Sequence, residues 1–453
     1  MAARNERIRR IVAEPVGLAI ATLALPAVLV TSAQTSTSFT DTWLAARFGT
    51  PALAAVALVV PLLSLMQLVS AGGMGGAIAQ SVGRALGAGD TARATSLVHH
   101  ALVIALGCGL LFSALVIGLG PGILALLGAR PETIGLAMPY LTALFAAAPL
   151  IWLLNGLSSV LRGAGNVTVT TGVLVPTYAL QLGLAIVLTR SVPSLGVLSL
   201  ALAQAGSALF GIVCYAAYLW SARSPFALRS TPWKLGRAGF ADILSVGILS
   251  SAASFQTGLT LIVVAIWVGR YGTVAIAGYG LAFRLEFFLL VGLSSLGSAL
   301  VTVLSVNLGA KKYERVERAA GYGLLVGGLV FALVGTLAML RPELWTNLFG
   351  VSRPVAEQAA LYLTTVTKAY PLLGMGLVCY FIGQGVGKPL WFMVAGSVRV
   401  AILLVAGTQL TSNVVDLYTV VMYAALAFGA SALLALAVTR RQLTAVRTAA
   451  AQT

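Results

Sequence analysis

The chain has 453 residues, 59% of them apolar and 9% charged, with a mean hydropathy of +0.98. A soluble fold of this length cannot hide so much apolar surface, so the class is a polytopic membrane protein. The net charge of +16 would suit a nucleic-acid partner, but the placement of the charges, given below, assigns it to topology and excludes that partner.

A helix needs about 20 mostly apolar residues to cross a bilayer. Twelve such stretches are predicted, at 14–46, 51–75, 96–119, 135–158, 168–189, 195–220, 240–269, 273–302, 320–340, 358–382, 390–410 and 417–438. The connectors are short. The longest, 221–239, is basic and Pro-rich, and divides an N-terminal six-helix lobe (1–220) from a C-terminal six-helix lobe (240–453). The predicted fold class is all-α, with two six-helix bundles around a central cleft. Gly is abundant, with 49 copies, which suits close helix packing in lipid.

With the N-terminus placed in the cytoplasm, 19 Lys and Arg fall on inner segments and 6 on outer ones, Arg47, Arg130, Arg190, Arg270, Arg341 and Arg353. That bias puts both termini inside. Arg4, Arg7, Arg9 and Arg10 followed by an apolar run imitate a signal peptide. Cleavage there would remove a helix that has a partner in the second half.

That partner emerges from an internal repeat. Arg47-Phe-Gly-Thr-Pro-Ala-Leu-Ala-Ala-Val-Ala-Leu58 matches Arg270-Tyr-Gly-Thr-Val-Ala-Ile-Ala-Gly-Tyr-Gly-Leu281 at six of twelve positions, 223 residues apart. At 222 apart, Leu86-Gly-Ala88 matches Leu308-Gly-Ala310, Tyr140-Leu-Thr142 matches Tyr362-Leu-Thr364, Pro149-Leu150 matches Pro371-Leu372, and Gly163-Ala-Gly165 matches Gly385-Val-Gly387. Six helices per copy is even, so both copies enter the membrane in the same sense, as a parallel repeat about an axis along the membrane normal. The repeat sets Asp41 against Val264, which lies in an unbroken apolar run. Asp41 is therefore a carboxylate on a membrane helix, in a stretch that hydropathy alone would read as a polar loop. An ionisable group at that depth is costly and marks function.

Other residues carry less. Cys108, Cys214 and Cys379 lie far apart in apolar runs and read as small buried residues. His99 and His100 read as an interfacial pair opening a helix, with no ligand neighbours for a metal. Gly383-Gln-Gly-Val-Gly387-Lys388-Pro389 has too few residues between its glycines, and no Ser or Thr after the Lys, for a phosphate loop. No catalytic set appears, so the chain is not read as an enzyme, and no cofactor is expected beyond a coupling ion.

The opening Leu23-Ala-Leu-Pro26, with Asp41 and then Arg47-Phe-Gly49, resembles the first helix of the multidrug and toxic-compound extrusion (MATE) family, prokaryotic type. Gln80-Ser-Val-Gly83-Arg-Ala-Leu86-Gly-Ala-Gly89-Asp90 and Asn307-Leu-Gly-Ala-Lys311 resemble its inner loops after helices two and eight, and Arg162-Gly-Ala-Gly165-Asn166 its glycine turn after helix four. Arg284-Leu-Glu286 resembles the Arg-hydrophobic-Glu of one prokaryotic branch. The match runs over essentially the whole chain, and the order and spacing of the motifs make it specific.

The resemblance implies a monomeric antiporter of the bacterial inner membrane that exports organic cations or amphipathic drugs against H⁺ or Na⁺. It implies that Asp41 binds the coupling ion and that the first helix bends at Pro26. Relatives that hold Na⁺ add Asn and Asp on helix five and Thr on helix six; here the aligned residues are Gln181, Ala185 and Gln204. With one carboxylate left, the charge balance favours H⁺. Desolvation disfavours a carboxylate's charged form, and Thr35, Thr37, Ser38, Thr40 and Thr42 are near enough in sequence to hydrogen-bond Asp41. The alternative is that Asp41 pairs with Arg47 at the outer surface.

Arg284, Glu286, Lys368 and Arg399 form a second polar set, in helices eight, ten and eleven. It reads either as an ion-pair network or as a water-filled cavity that takes substrate or relays protons. Gln34, Thr37, Tyr140, Tyr178 and Gln256 are candidate cavity-lining residues. The rival function is a flippase for a lipid-linked saccharide or peptide precursor, which would want those cations in a central cavity.

Overall fold

The computed structural model describes residues 2–226, 228, 232–409 and 412–452. Among them, eleven helices are long and apolar enough to cross a membrane, and a bent pair makes a twelfth. They are α1 (Val16–Ala46), α2 (Thr50–Gly87), α3 (Thr91–Leu126), α4 (Pro131–Ala146 with Ala148–Gly163), α5 (Val167–Ser191), α6 (Leu198–Leu219), α7 (Arg237–Gly269), α8 (Thr273–Gly309), α9 (Tyr313–Leu340), α10 (Arg353–Gly385), α11 (Leu390–Gln409) and α12 (Val414–Gln452). A further helix, Ala2–Ala13, precedes α1. All twelve expected spans are present, several of them longer than hydropathy implied, because polar ends continue the helix past the apolar run.

The breaks in these helices repeat with the sequence. α4 bends by 40° at Ala147, just before Pro149. α10 loosens into a 3-10 turn at Thr367–Ala369, just before Pro371. Each proline withholds the N–H that an unbroken helix would need, so the chain kinks at the same place in both copies. The turns after α4 and α10 also match: Gly165 and Gly387 have φ of 68° and 75°, a left-handed conformation that other residues rarely adopt. Asn166 and Asp90 then cap α5 and α3 by accepting from the N–H groups of Val169 and Arg93.

The halves meet where α2 and α8 cross, toward the side of the bundle that carries both termini. A Cβ on Gly87 would lie 2.1 Å from the Val306 carbonyl oxygen, and a Cβ on Gly309 would lie 2.1 Å from that of Arg84. Gly87 and Gly309 are repeat mates, and so are Arg84 and Val306, so these are one contact written twice. Gly83 meets Ser305, its own repeat mate, which puts the pseudo-two-fold axis between them. Small residues let the two backbones approach this closely.

Two apolar cores flank the crossing. One takes residues from Leu44 to Val246, the other from Val264 to Leu436. α1 belongs to both: Leu44 and Ala45 pack in the first, while Val16, Ala19, Ile20 and Leu23 pack in the second. The Ala2–Ala13 helix is held against α8 and α9. Arg315 donates to the carbonyls of Ile11 and Glu14 and to Asn307 Oδ1, and Asn307 donates to Ile11. These bonds satisfy carbonyls that a helix end leaves free.

His99 and His100 lie near the start of α3 and are buried, where His99 stacks on Trp233 and His100 accepts from the Gly236 N–H while donating to Ser96 O. Trp233 and Gly236, at the end of the connector, therefore pack onto α3. Arg229, counted among the inner charges, lies outside the described residues.

Candidate functional site

Asp41 sits on the last turns of α1, which packs against α5 and α8. Its Oδ2 accepts a hydrogen bond from Gln181 Nε2 on α5 at 3.4 Å. Its Oδ1 is shielded from solvent and has no partner. Among the described residues it is the one carboxylate oxygen in that condition. A buried acceptor without a donor is costly.

The hydroxyls around Asp41 do not serve it. Thr35, Ser36, Thr40 and Thr42 each donate to the carbonyl four residues back, and Thr37 donates to Gln34 O. In a helix facing lipid, that back-bonding satisfies the hydroxyl. Arg47 does not serve Asp41 either, because its guanidinium lies 3.9 Å above the Trp43 ring and no ion pair reaches Asp41 among the described residues. Gln204 is buried on α6 but makes no hydrogen bond to Asp41, so of the two aligned amides only Gln181 reaches it. Pro26 lies inside an α1 that remains helical throughout, and its carbonyl accepts from Thr171 on α5 at 3.3 Å.

Of the candidate lining residues, Gln34 is half-buried, while Thr37, Tyr140 and Tyr178 are buried, the two tyrosines within the first core. Tyr140 is close enough to Asp41 to interact with its charge. Gln256 is half-buried and donates to Ser397 Oγ of α11 at 2.7 Å.

The second polar set divides by burial. Glu286 is buried and accepts from Tyr362 OH at 2.8 Å and from Tyr370 OH at 3.5 Å. Arg399 is buried, with its carbon centre 5.8 Å from the Phe428 ring and its Nε unpartnered. Arg284 and Lys368 are exposed, and Arg284 lies over Phe349 at 5.6 Å. Arg284 and Glu286 part company because i and i+2 face opposite sides of a helix. Arg284 and Lys368 thus lie at the surface, while Glu286 and Arg399 lie inside the C-terminal half.

Sequence reading missed the interface below the site. α2 passes through a π-helical segment, Leu68–Met74. There Gln384 of α10 donates to the carbonyls of Gly72 and Gly73, at 3.0 and 3.1 Å. Arg162 of α4 donates to Ala71 O at 3.3 Å, Ser159 Oγ at 2.6 Å and Ser298 Oγ of α8 at 3.3 Å. A π segment loosens the helical ladder and often marks function. The cluster Leu68-Val-Ser-Ala-Gly-Gly-Met74 was the available signal.

Twelve membrane helices arranged as a duplicated six-helix unit, with the carboxylates of Asp41 and Glu286 held among the helices, define a membrane transporter of internally repeated type. The chain belongs to the MatE family: the family model matches residues 26–187 and 250–405. Among curated relatives, it is 24% identical over 358 residues to the multidrug export protein MepA of Staphylococcus aureus, covering 78% of each chain. It is 23% identical over 413 residues to an FAD transporter of Shewanella oneidensis, covering 88% of this chain and 89% of the relative. In fold it is similar to a solved MATE structure in the bent conformation, with a TM-score of 0.87 and 21% identity over 98% of this chain and 99% of that one. It is also similar to a MOP superfamily transporter from Pyrococcus furiosus, with a TM-score of 0.85 and 21% identity over 97% and 98%.

Proposed function

We propose that the protein is a proton-coupled antiporter that exports organic cations or amphipathic drugs across the bacterial inner membrane, as a monomer with both termini in the cytoplasm. The observation that carries this reading is Asp41 Oδ1, shielded and without a donor. A proton neutralises such a carboxylate with no further ligand. Na⁺ wants several hard oxygens, and Ala185 supplies none where related Na⁺ sites carry a second carboxylate.

The export of multiple drugs by the MepA relative supports the substrate class. The FAD transporter offers a second cargo, a dinucleotide. The flippase reading wants Arg284, Lys368 and Arg399 together in a central cavity; Arg284 and Lys368 are exposed while Arg399 is buried against Phe428, which favours the antiport reading. In the proposed cycle the N- and C-terminal lobes, 1–220 and 240–453, pivot about the α2–α8 crossing. Proton uptake at Asp41 changes the bend of α1 at Pro26.

The test is transport in proteoliposomes under an imposed pH gradient, wild type against Asp41→Asn, with a fluorescent lipophilic cation or FAD as cargo, with and without Na⁺. Cation movement driven by the pH gradient alone, and lost in a folded Asp41→Asn protein, supports the reading. Movement that requires Na⁺ overturns proton coupling, and movement of FAD alone overturns the cargo.

A further inference from the structure

The interface below Asp41 contains a charge that the antiport reading does not use. Arg162 and Gln384 are repeat mates, 222 residues apart, and so are Gly76 and Ser298. Arg162 crosses to Ser298 at 3.3 Å, and the Gln384 amide lies where a Cβ on Gly76 would sit, 2.1 Å from Oε1. The two side chains thus make the same crossing in opposite directions. One of them is neutral. The other carries a full charge and has no carboxylate within ion-pair distance among the described residues. Its acceptors are two hydroxyls and one carbonyl, its Nε is buried without a partner, and its titratable neighbours are the phenols of Tyr178 and Tyr215.

An uncompensated guanidinium is an expensive thing to hold inside a membrane protein if its only task is to join two helices. Gln384 performs that task without a charge. Just beyond this layer, on the side of the termini, the halves are sealed by backbone contact at Gly87, Val306, Gly309 and Arg84. A fixed positive charge at such a constriction repels hydronium and other small cations.

We propose that Arg162 and Gln384 form the inner gate of the transporter, and that the Arg162 guanidinium is an electrostatic barrier that stops protons leaking through the gate while it is shut. The antiport reading gives the barrier its purpose, because a leak would discharge the gradient that Asp41 is meant to harvest. The barrier itself can be measured without any cargo.

The experiment uses the full chain in liposomes loaded with a pH-sensitive dye, with an imposed membrane potential and no substrate. Arg162→Gln, which makes the two gate residues alike, should raise proton entry by about tenfold or more, as expected for removing one charge at close range in a medium of intermediate dielectric. Arg162→Lys should remain as tight as wild type. Ser298→Asp, which sets a carboxylate beside the guanidinium, should leak like Arg162→Gln and serves as the test if that variant does not fold. Equal proton entry in wild type, Arg162→Gln and Ser298→Asp overturns the proposal. Leak through Arg162→Lys equal to that of Arg162→Gln overturns it too, since shape and not charge would then make the seal. Drug transport in the same vesicles separates the two readings: a wild type that moves no cation, with a leaking Arg162→Gln, removes the antiport and leaves the barrier.

Discussion

Arg162 and Gln384 occupy equivalent positions in the two copies of the repeat, and each reaches across the interface to the other half, Arg162 with one hydrogen bond to Ser298 and Gln384 with two to the backbone of α2. Gln384 holds the π segment of α2 through the carbonyls of Gly72 and Gly73. Gln384→Ala leaves both carbonyls without this donor and should cost about 1–3 kcal/mol. The expected outcome is a lower Tm in detergent, together with greater access of water-soluble thiol reagents to a Cys placed at Ser251, which abuts Gly73.

Asp41→Asn keeps the shape of the side chain and removes the titration. Transport driven by a pH gradient should fall to the level of protein-free liposomes, with the unfolding temperature unchanged. Gln181→Leu removes the one hydrogen bond made to Asp41 and should slow transport without abolishing it. Background rates in Asp41→Asn with a normal rate in Gln181→Leu would assign Gln181 to packing alone.

The α2–α8 crossing predicts two equal effects. Gly87→Ala and Gly309→Ala each press a methyl group against an opposing backbone carbonyl. Each should destabilise by about 1–3 kcal/mol, the usual cost of overpacking. The double variant should cost less than the two singles together, because the first substitution already separates the helices. Gly183→Ala, with open space around it, is the neutral control. Thermal unfolding of the four variants decides the matter.

Glu286 is read as a structural acceptor. Tyr362→Phe removes its short hydrogen bond, and leaving a buried acceptor short of a donor costs about 1–3 kcal/mol. Stability should fall by that order while transport survives. A pH-gradient transport rate lost in Glu286→Gln would show instead that the second half carries an ion site of its own.

The repeat and the apolar runs anticipated twelve spans and a pseudo-two-fold pair, because lipid demands continuous helices and duplication leaves paired motifs. Asp41 was marked by its mismatch with Val264, and the shared kinks by Pro149 and Pro371. Orientation about a helix axis was harder to foresee. Thr35, Thr40 and Thr42 sit beside Asp41 in sequence yet turn to their own backbone, and Arg284 lies two residues from Glu286 yet on another face. Nothing in their composition separates a polar residue that meets a partner from one that does not. The π segment was hidden for a related reason: Gly72 and Gly73 read as packing glycines, and only Gln384, 311 residues beyond Gly73, shows what the loosened carbonyls are for.

α1 ends in one core and begins in the other. The core of the C-terminal half therefore includes Val16, Ala19, Ile20 and Leu23 from α1, a span made well before the rest of that core, alongside residues of α12. The Ala2–Ala13 helix adds to that attachment through Arg315 and Asn307. Assembly of the two halves is thus interlocked in time: the 16–23 face of α1 must wait in the membrane for a surface that does not exist until α8 and α9 have been inserted. A chain interrupted between α6 and α7 would leave both products short, one with the first half of α1 uncovered and the other with an open seam.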